Sequence, residues 1–139
     1  MLSTTARNYY LNGDYNCAEA MLLAIRDEYG LDIARDTLRL MSGFGGGMGC
    51  GRACGALLGS VAGLGPLLVK EKAHATEGFS QRTAELARRF VEALGDDQCA
   101  VLKPQHVQEG LRCVRVVERS AEIFEQYAAE LGLQPETQP

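Results

Sequence analysis

Five cysteines, Cys17, Cys50, Cys54, Cys99 and Cys113, carry the chemical potential of this 139-residue chain. Two of them lie in SGFGGGMGCGRACGALLGSVAGLG, residues 42–65, where a glycine-rich loop runs into a helix of small residues. Cys54 falls at or near the start of that helix. The helix dipole, with Arg52 close by, is expected to lower its thiol pKa, and Cys50, four residues earlier, is the natural resolving partner. Cys54 and Cys50 are therefore the candidate pair for thiol–disulfide exchange. Gly46, Gly47, Gly49 and Gly55 allow backbone N–H groups to approach a bound group or a sulfur, which makes them the candidate cofactor contacts.

Other chemistries fit the residues less well. The loop lacks the Lys-Ser/Thr of a P-loop, and no strand precedes it as a dinucleotide fingerprint requires, so anion binding is a minor reading. Zinc, with cysteines and His74 or His106, would favour a C-x2-C pair with a second close pair, and none of the spacings fits that form. Glu19, Glu122 and Asp97 have no paired-carboxylate context and read as solvated or capping groups. No Ser-His-Asp or Cys-His arrangement can be assembled from two histidines in polar segments, which argues against a hydrolase.

Helices must position these residues, because no stretch shows strand alternation. The expected fold is all-α, a compact bundle of about six helices with the glycine-rich helix at its centre. The first covers 4–11, and the second is capped by Asp14 or Asn16, runs to Tyr29 and stops at Gly30. A third runs from Asp32 to Met41. A fourth begins near Arg52, with Gly55, Gly59 and Gly63 forming a side-chain-free ridge until Pro66 ends or kinks it. Each glycine costs about 1 kcal/mol of helix stability relative to alanine, so another helix, a cofactor or a homodimer seam must pack closely there. Ser80 caps the fifth, with Ala84, Ala87, Phe90, Val91 and Leu94 as its apolar stripe. Pro104 bars a long helix after Cys99, which leaves that cysteine on a turn or a first helical turn. The last helix covers 110–131, with Cys113 facing inward. Residues 1–133 form one domain and 134–139 a flexible tail.

Bulk properties bound the function further. With 18 acidic against 14 basic residues, scattered along the chain, there is no basic field for a nucleic-acid backbone. The start of the chain does not read as a secretory signal, so a cytoplasmic location is expected. The apolar run 53–69 is short for a membrane span and contains four glycines and Pro66, so direct membrane insertion is not expected. Structural disulfides are rare in a reducing compartment, which leaves redox chemistry, metal ligation or plain burial for the thiols.

The ordered set NCAEA, GFGGGMG, the CGAxxG element Cys54-Gly55-Ala56-Leu57-Leu58-Gly59 and two late cysteines resembles the C_GCAxxG_C_C family of redox-active proteins over nearly the whole chain. The resemblance implies that Cys17, Cys54, Cys99 and Cys113 are the four family cysteines, and Cys50 has no counterpart among them. It also implies redox activity. In a relative, split-Soret cytochrome c, a similar domain is associated with an iron–sulfur cluster, whereas covalent haem is not expected here because C-x-x-C-H is missing. Two redox readings stay open: a cluster held by the four family cysteines for electron transfer, or reversible thiol exchange, each with an unidentified redox partner. The competing class is a non-catalytic binding or assembly module with buried structural cysteines and a homodimer contact on the glycine ridge.

Overall fold

The computed structural model describes residues 1–136. It is all-α, with seven helices: α1 (Leu2–Leu11), α2 (Cys17–Tyr29), α3 (Arg35–Leu38), α4 (Gly55–Leu68), α5 (Phe79–Leu94), α6 (Cys99–His106) and α7 (Val114–Glu130). Among the described residues there are no strands, only isolated bridges joining Ala53 to Gln98 and Gln108 to Arg112. No described helix is long and apolar enough to cross a membrane.

α2 forms where its local signals say it should. The Asn16 side chain accepts from the Glu19 N–H while the Glu19 carboxylate accepts from the Asn16 N–H, a reciprocal capping box, and Gly30 closes the helix in the left-handed conformation. Between these caps, Ala18, Ala20, Met21, Leu22, Leu23, Ala24 and Ile25 are buried, so α2 has core on most of its circumference. The principal core gathers Leu2, Met21, Ile25, Leu64, Leu86, Phe90, Val117 and Phe124, with Tyr29 edge-on to Phe124 at 5.7 Å. A smaller cluster of Ala18, Leu22, Leu23, Leu38 and Met41 lies under α3. Buried Ser60 and Ser120 donate to the carbonyls one turn back, of Ala56 at 2.7 Å and Val116 at 2.6 Å.

The glycine ridge of α4 faces α2. A Cβ on Gly55 would stand 2.5 Å from the Cys17 sulfur, one on Gly59 2.5 Å from the Ala18 carbonyl oxygen, and one on Gly63 2.7 Å from Ile25 Cδ1. Positions 55, 59 and 63 thus run beside 17, 18, 21 and 25 of α2, with no side chain from α4 between the two helices at these points. Of the neighbours expected for the ridge, another helix, a cofactor or a homodimer seam, it is another helix of the same chain, α2, that packs there.

Several element boundaries differ from expectation. α4 begins at Gly55 rather than near Arg52, because residues 52–54 are extended and bonded to the start of α6. Pro66 neither ends α4 nor halts it at once: the helix reaches Leu68, and Gly65 has no Cβ to clash with the proline ring. α6 likewise continues through Pro104 to His106, since a proline in the last turn forfeits only one intrahelical bond. The helix expected over 32–41 is one turn of α-helix followed by 3₁₀ geometry over Arg39–Phe44. α5 starts at Phe79, leaving Ser80 inside it, and Ala84 and Val91 of its expected stripe are exposed while Leu86 and Phe90 are buried. α7 starts at Val114, and Cys113 is its N-cap. Within the expected tail, the Glu136 N–H donates to the Glu28 carbonyl at 2.7 Å; residues 137–139 lie outside the described residues.

Candidate functional site

Cys17, Cys54, Cys99 and Cys113 line one cavity of about 220 Å³. Each comes from a different helix start: Cys17 opens α2, Cys54 is the N-cap of α4, Cys99 opens α6 and Cys113 is the N-cap of α7. All five cysteines of the chain are free thiols. Apolar Leu102, Val107 and Val116 fill out the wall, and Lys103 and Arg112 bring positive charge to it.

The glycine loop and the segment after it act as the clamp. The Cys54 N–H donates to the Asp97 carbonyl and the Cys99 N–H to the Arg52 carbonyl, both at 2.7 Å, so residues 52–54 and 97–99 are tied antiparallel. Gly47, with φ +63°, has room for no side chain: a Cβ there would meet the Arg52 backbone at 2.5 Å and Cys99 Cβ at 2.8 Å. A Cβ on Gly45 would strike the Asn16 side chain at 2.7 Å, and the Asn16 Nδ2 donates to the Ser42 carbonyl at 3.0 Å. The loop therefore rests on the first turn of α2 and the first turn of α6 together, and fixes Cys17 relative to Cys99.

Cys113 is held from the opposite side. Its N–H donates to the Tyr10 hydroxyl at 3.1 Å. The Arg112 guanidinium stacks 4.0 Å above the Tyr10 ring, donates to the Tyr10 carbonyl, and sits 3.7 Å from Asp14. Tyr10 thereby connects α1 to the fourth cysteine.

Burial sets the protonation of these thiols. It pushes Cys54 up to about 12, aided by the charges of Cys17 and Cys99 and opposed by the Ala56 and Leu57 backbone N–H groups. The expected lowering at the helix start is thus overturned, because removing the thiolate from water outweighs the dipole, and Arg52 is exposed. Burial also raises Cys17, against N–H groups from Gly46 and Ala18, and raises Cys113, against Lys103 and Arg112. These three are neutral thiols at neutral pH in the metal-free protein.

The remaining residues singled out from sequence are dispersed. Cys50 is exposed, does not line the cavity, and turns its Sγ toward the Gly47 carbonyl at 3.5 Å. Gly46 lines the cavity; Gly47 and Gly55 are packing positions beside Cys99 and Cys17; Gly49 has open space around it. His74 is exposed in a 3₁₀ turn, and the Nε2 of His106 is buried without a partner at the end of α6. Tyr10, Asn16, Lys103 and Arg112 were not among the candidates. Only Asn16 left a trace in the sequence, as a cap, since the other three reach the cavity through contacts distant in the chain.

Among the described residues, no three His, Cys, Asp or Glu side chains converge at the spacing of a single bound metal ion. Four thiolates round one zinc stand roughly 4 Å apart, given Zn–S of about 2.3 Å.

A family model described as "Putative redox-active protein (C_GCAxxG_C_C)" matches residues 15–127, well over half of the chain. No curated protein and no solved structure matches it.

Proposed function

Because the chain belongs to the C_GCAxxG_C_C family of redox-active proteins, we propose that Cys17, Cys54, Cys99 and Cys113 together hold an iron–sulfur cluster and that the protein transfers electrons. The observation that carries this reading is the convergence of these four thiols, from four helix starts, on one cavity. The donor set is entirely soft sulfur, which suits iron–sulfur and not hard cations. Four cysteine thiolates are the usual ligand set of an iron–sulfur cluster. Bound there, a cluster would supply one-electron exchange at a potential set by its surroundings.

The chain's own residues prepare that environment. N–H groups of Gly46 and Ala18 face the Cys17 sulfur, and those of Ala56 and Leu57 face Cys54, where they stabilise negative sulfur. Lys103 and Arg112 offset the accumulated negative charge, and Leu102 and Val116 keep water from that wall. Ligation needs thiolates, so Cys17, Cys54 and Cys113 must each give up a proton on loading, and loading should strengthen as pH rises from 6 to 8, to about the extent that protons compete.

Anaerobic purification, an absorption spectrum and iron and sulfide determination test the reading. Visible charge-transfer bands with iron and sulfide in simple ratio to the chain support it; a colourless protein that takes up no iron on reconstitution refutes it. Thiol exchange between Cys54 and Cys50 is the weaker reading, because Cys54 is buried as a neutral thiol and Cys50 does not share its cavity.

A further inference from the structure

A second and larger cavity, of about 530 Å³, opens beside α3 and uses none of the cysteines. That volume lies within the range of small-molecule sites, about 300–1,000 Å³. Its apolar surface is Leu23 and Leu38, both buried, and one wall is the pair Tyr9 and Tyr15, edge to face at 5.9 Å. Arg26, Arg35 and Arg39 bring three guanidinium groups to it, against the carboxylates of Glu19 and Asp36.

The distribution of partners decides which charge is left over. Both Glu19 oxygens are engaged, one accepting from the Asn16 N–H at 3.0 Å and the other from Ser42 Oγ at 3.2 Å. Asp36 faces Arg39 at 3.7 Å, and Arg26 is bonded to Asp27 at 2.9 Å, the same carboxylate that accepts the Tyr9 hydroxyl. Arg35 has no carboxylate partner among the described residues; its one contact is the Tyr15 hydroxyl at 3.5 Å. An unpaired guanidinium fork beside aromatic edges and an apolar floor is complementary to a planar anion. The fork takes a carboxylate through two parallel hydrogen bonds, and the tyrosines and leucines take an attached ring.

We propose that this cavity binds a small aromatic carboxylate, with Arg35 as its anion anchor and Tyr9 and Tyr15 as its ring wall. The site is separate from the cysteine cavity, but Asn16 lines one and its capping partner Glu19 lines the other.

Benzoate is the probe, with cyclohexanecarboxylate and inorganic phosphate as comparators, titrated into the full chain while the tyrosine ring resonances are followed by NMR. Saturable shifts at Tyr9 and Tyr15 with benzoate are expected, with weaker binding of both comparators. Arg35→Ala should weaken benzoate by about tenfold or more, the loss of a charge-assisted hydrogen bond, while Arg35→Lys, keeping charge without the fork, falls between. Arg35 is exposed, so its unfolding midpoint should not move. Tyr15→Leu provides an independent loss of ring contact. Absence of a saturable shift, unchanged affinity in Arg35→Ala, or phosphate binding as tightly as benzoate would overturn the proposal.

Discussion

Replacing Gly55 with alanine tests whether the glycine ridge exists to let α4 approach Cys17. The new Cβ would lie 2.5 Å from Cys17 Sγ and 2.8 Å from the Phe44 carbonyl oxygen. Ordinary non-bonded contacts are about 3.5–4.0 Å, so something must shift by roughly 1 Å. Overpacking of this kind costs about 1–3 kcal/mol, against a helix-propensity gain of about 1 kcal/mol, so a net loss of up to about 2 kcal/mol is expected. Gly63→Ala is the internal control, because its Cβ meets only the Ile25 side chain, at 2.7 Å from Cδ1, and that side chain can turn; its stability should stay within about 1 kcal/mol of the parent. Gly59→Ala, against the Ala18 carbonyl oxygen, should be damaging like Gly55→Ala, since backbone cannot turn aside. Urea denaturation gives the stabilities, and iron per chain after anaerobic purification reads the effect on the cysteine cavity. Gly55→Ala should lose both stability and iron. If it is as stable as Gly63→Ala and carries undiminished iron, the packing argument for the ridge is wrong.

Three further outcomes are expected. Tyr10→Phe removes the acceptor of the Cys113 N–H, which should cost about 1–3 kcal/mol in urea denaturation and lower iron retention. Asn16→Ala removes the side-chain half of the α2 capping box and its bond to the Ser42 carbonyl, for a loss of about 1 kcal/mol by the same measurement. The Arg88 and Arg89 hydrogen bonds hold Glu85 at about 2, below its ordinary 4.5, and Arg89 also lowers Glu130. A depressed carboxylate contributes stability above the unfolded value and loses it as pH falls through the folded one, so stability should decline between about pH 4.5 and pH 2. Glu85→Gln combined with Glu130→Gln should flatten that decline in urea denaturation at stepped pH, and an unchanged slope would remove these pairs from the acid response.

Much of the helical frame was legible because its signals are local. Asn16 with Glu19, Gly30 and Gly95 mark helix ends through capping and left-handed geometry that neighbouring residues decide alone. The glycines at 55, 59 and 63 announced a close approach, though not that α2 is the partner. Residues 52–54 were misread as helix because the pairing of Arg52 and Cys54 with residues 97–99 is decided far along the chain. Pro104 marked α6 as short, and Cys99 does sit in its first turn, although the helix runs two residues past the proline. For the site, the four cysteines came from the family pattern, whereas their common cavity depends on the fold. Tyr10 and Arg112 gave no local signal: a tyrosine at the end of α1 reads as core until it is seen 3.1 Å from the Cys113 N–H. The Cys54 thiol was misjudged because burial, which is tertiary, outweighs the helix start, which is local.

Single replacement of each cysteine by alanine, with iron and sulfide measured per chain after anaerobic reconstitution, tests the shared cavity most directly. Loss of most bound iron is expected in Cys17→Ala, Cys54→Ala, Cys99→Ala and Cys113→Ala, and parental iron in Cys50→Ala. Full iron in any folded variant of the first four, or loss in Cys50→Ala equal to theirs, would contradict the assignment of those four thiols to one redox centre.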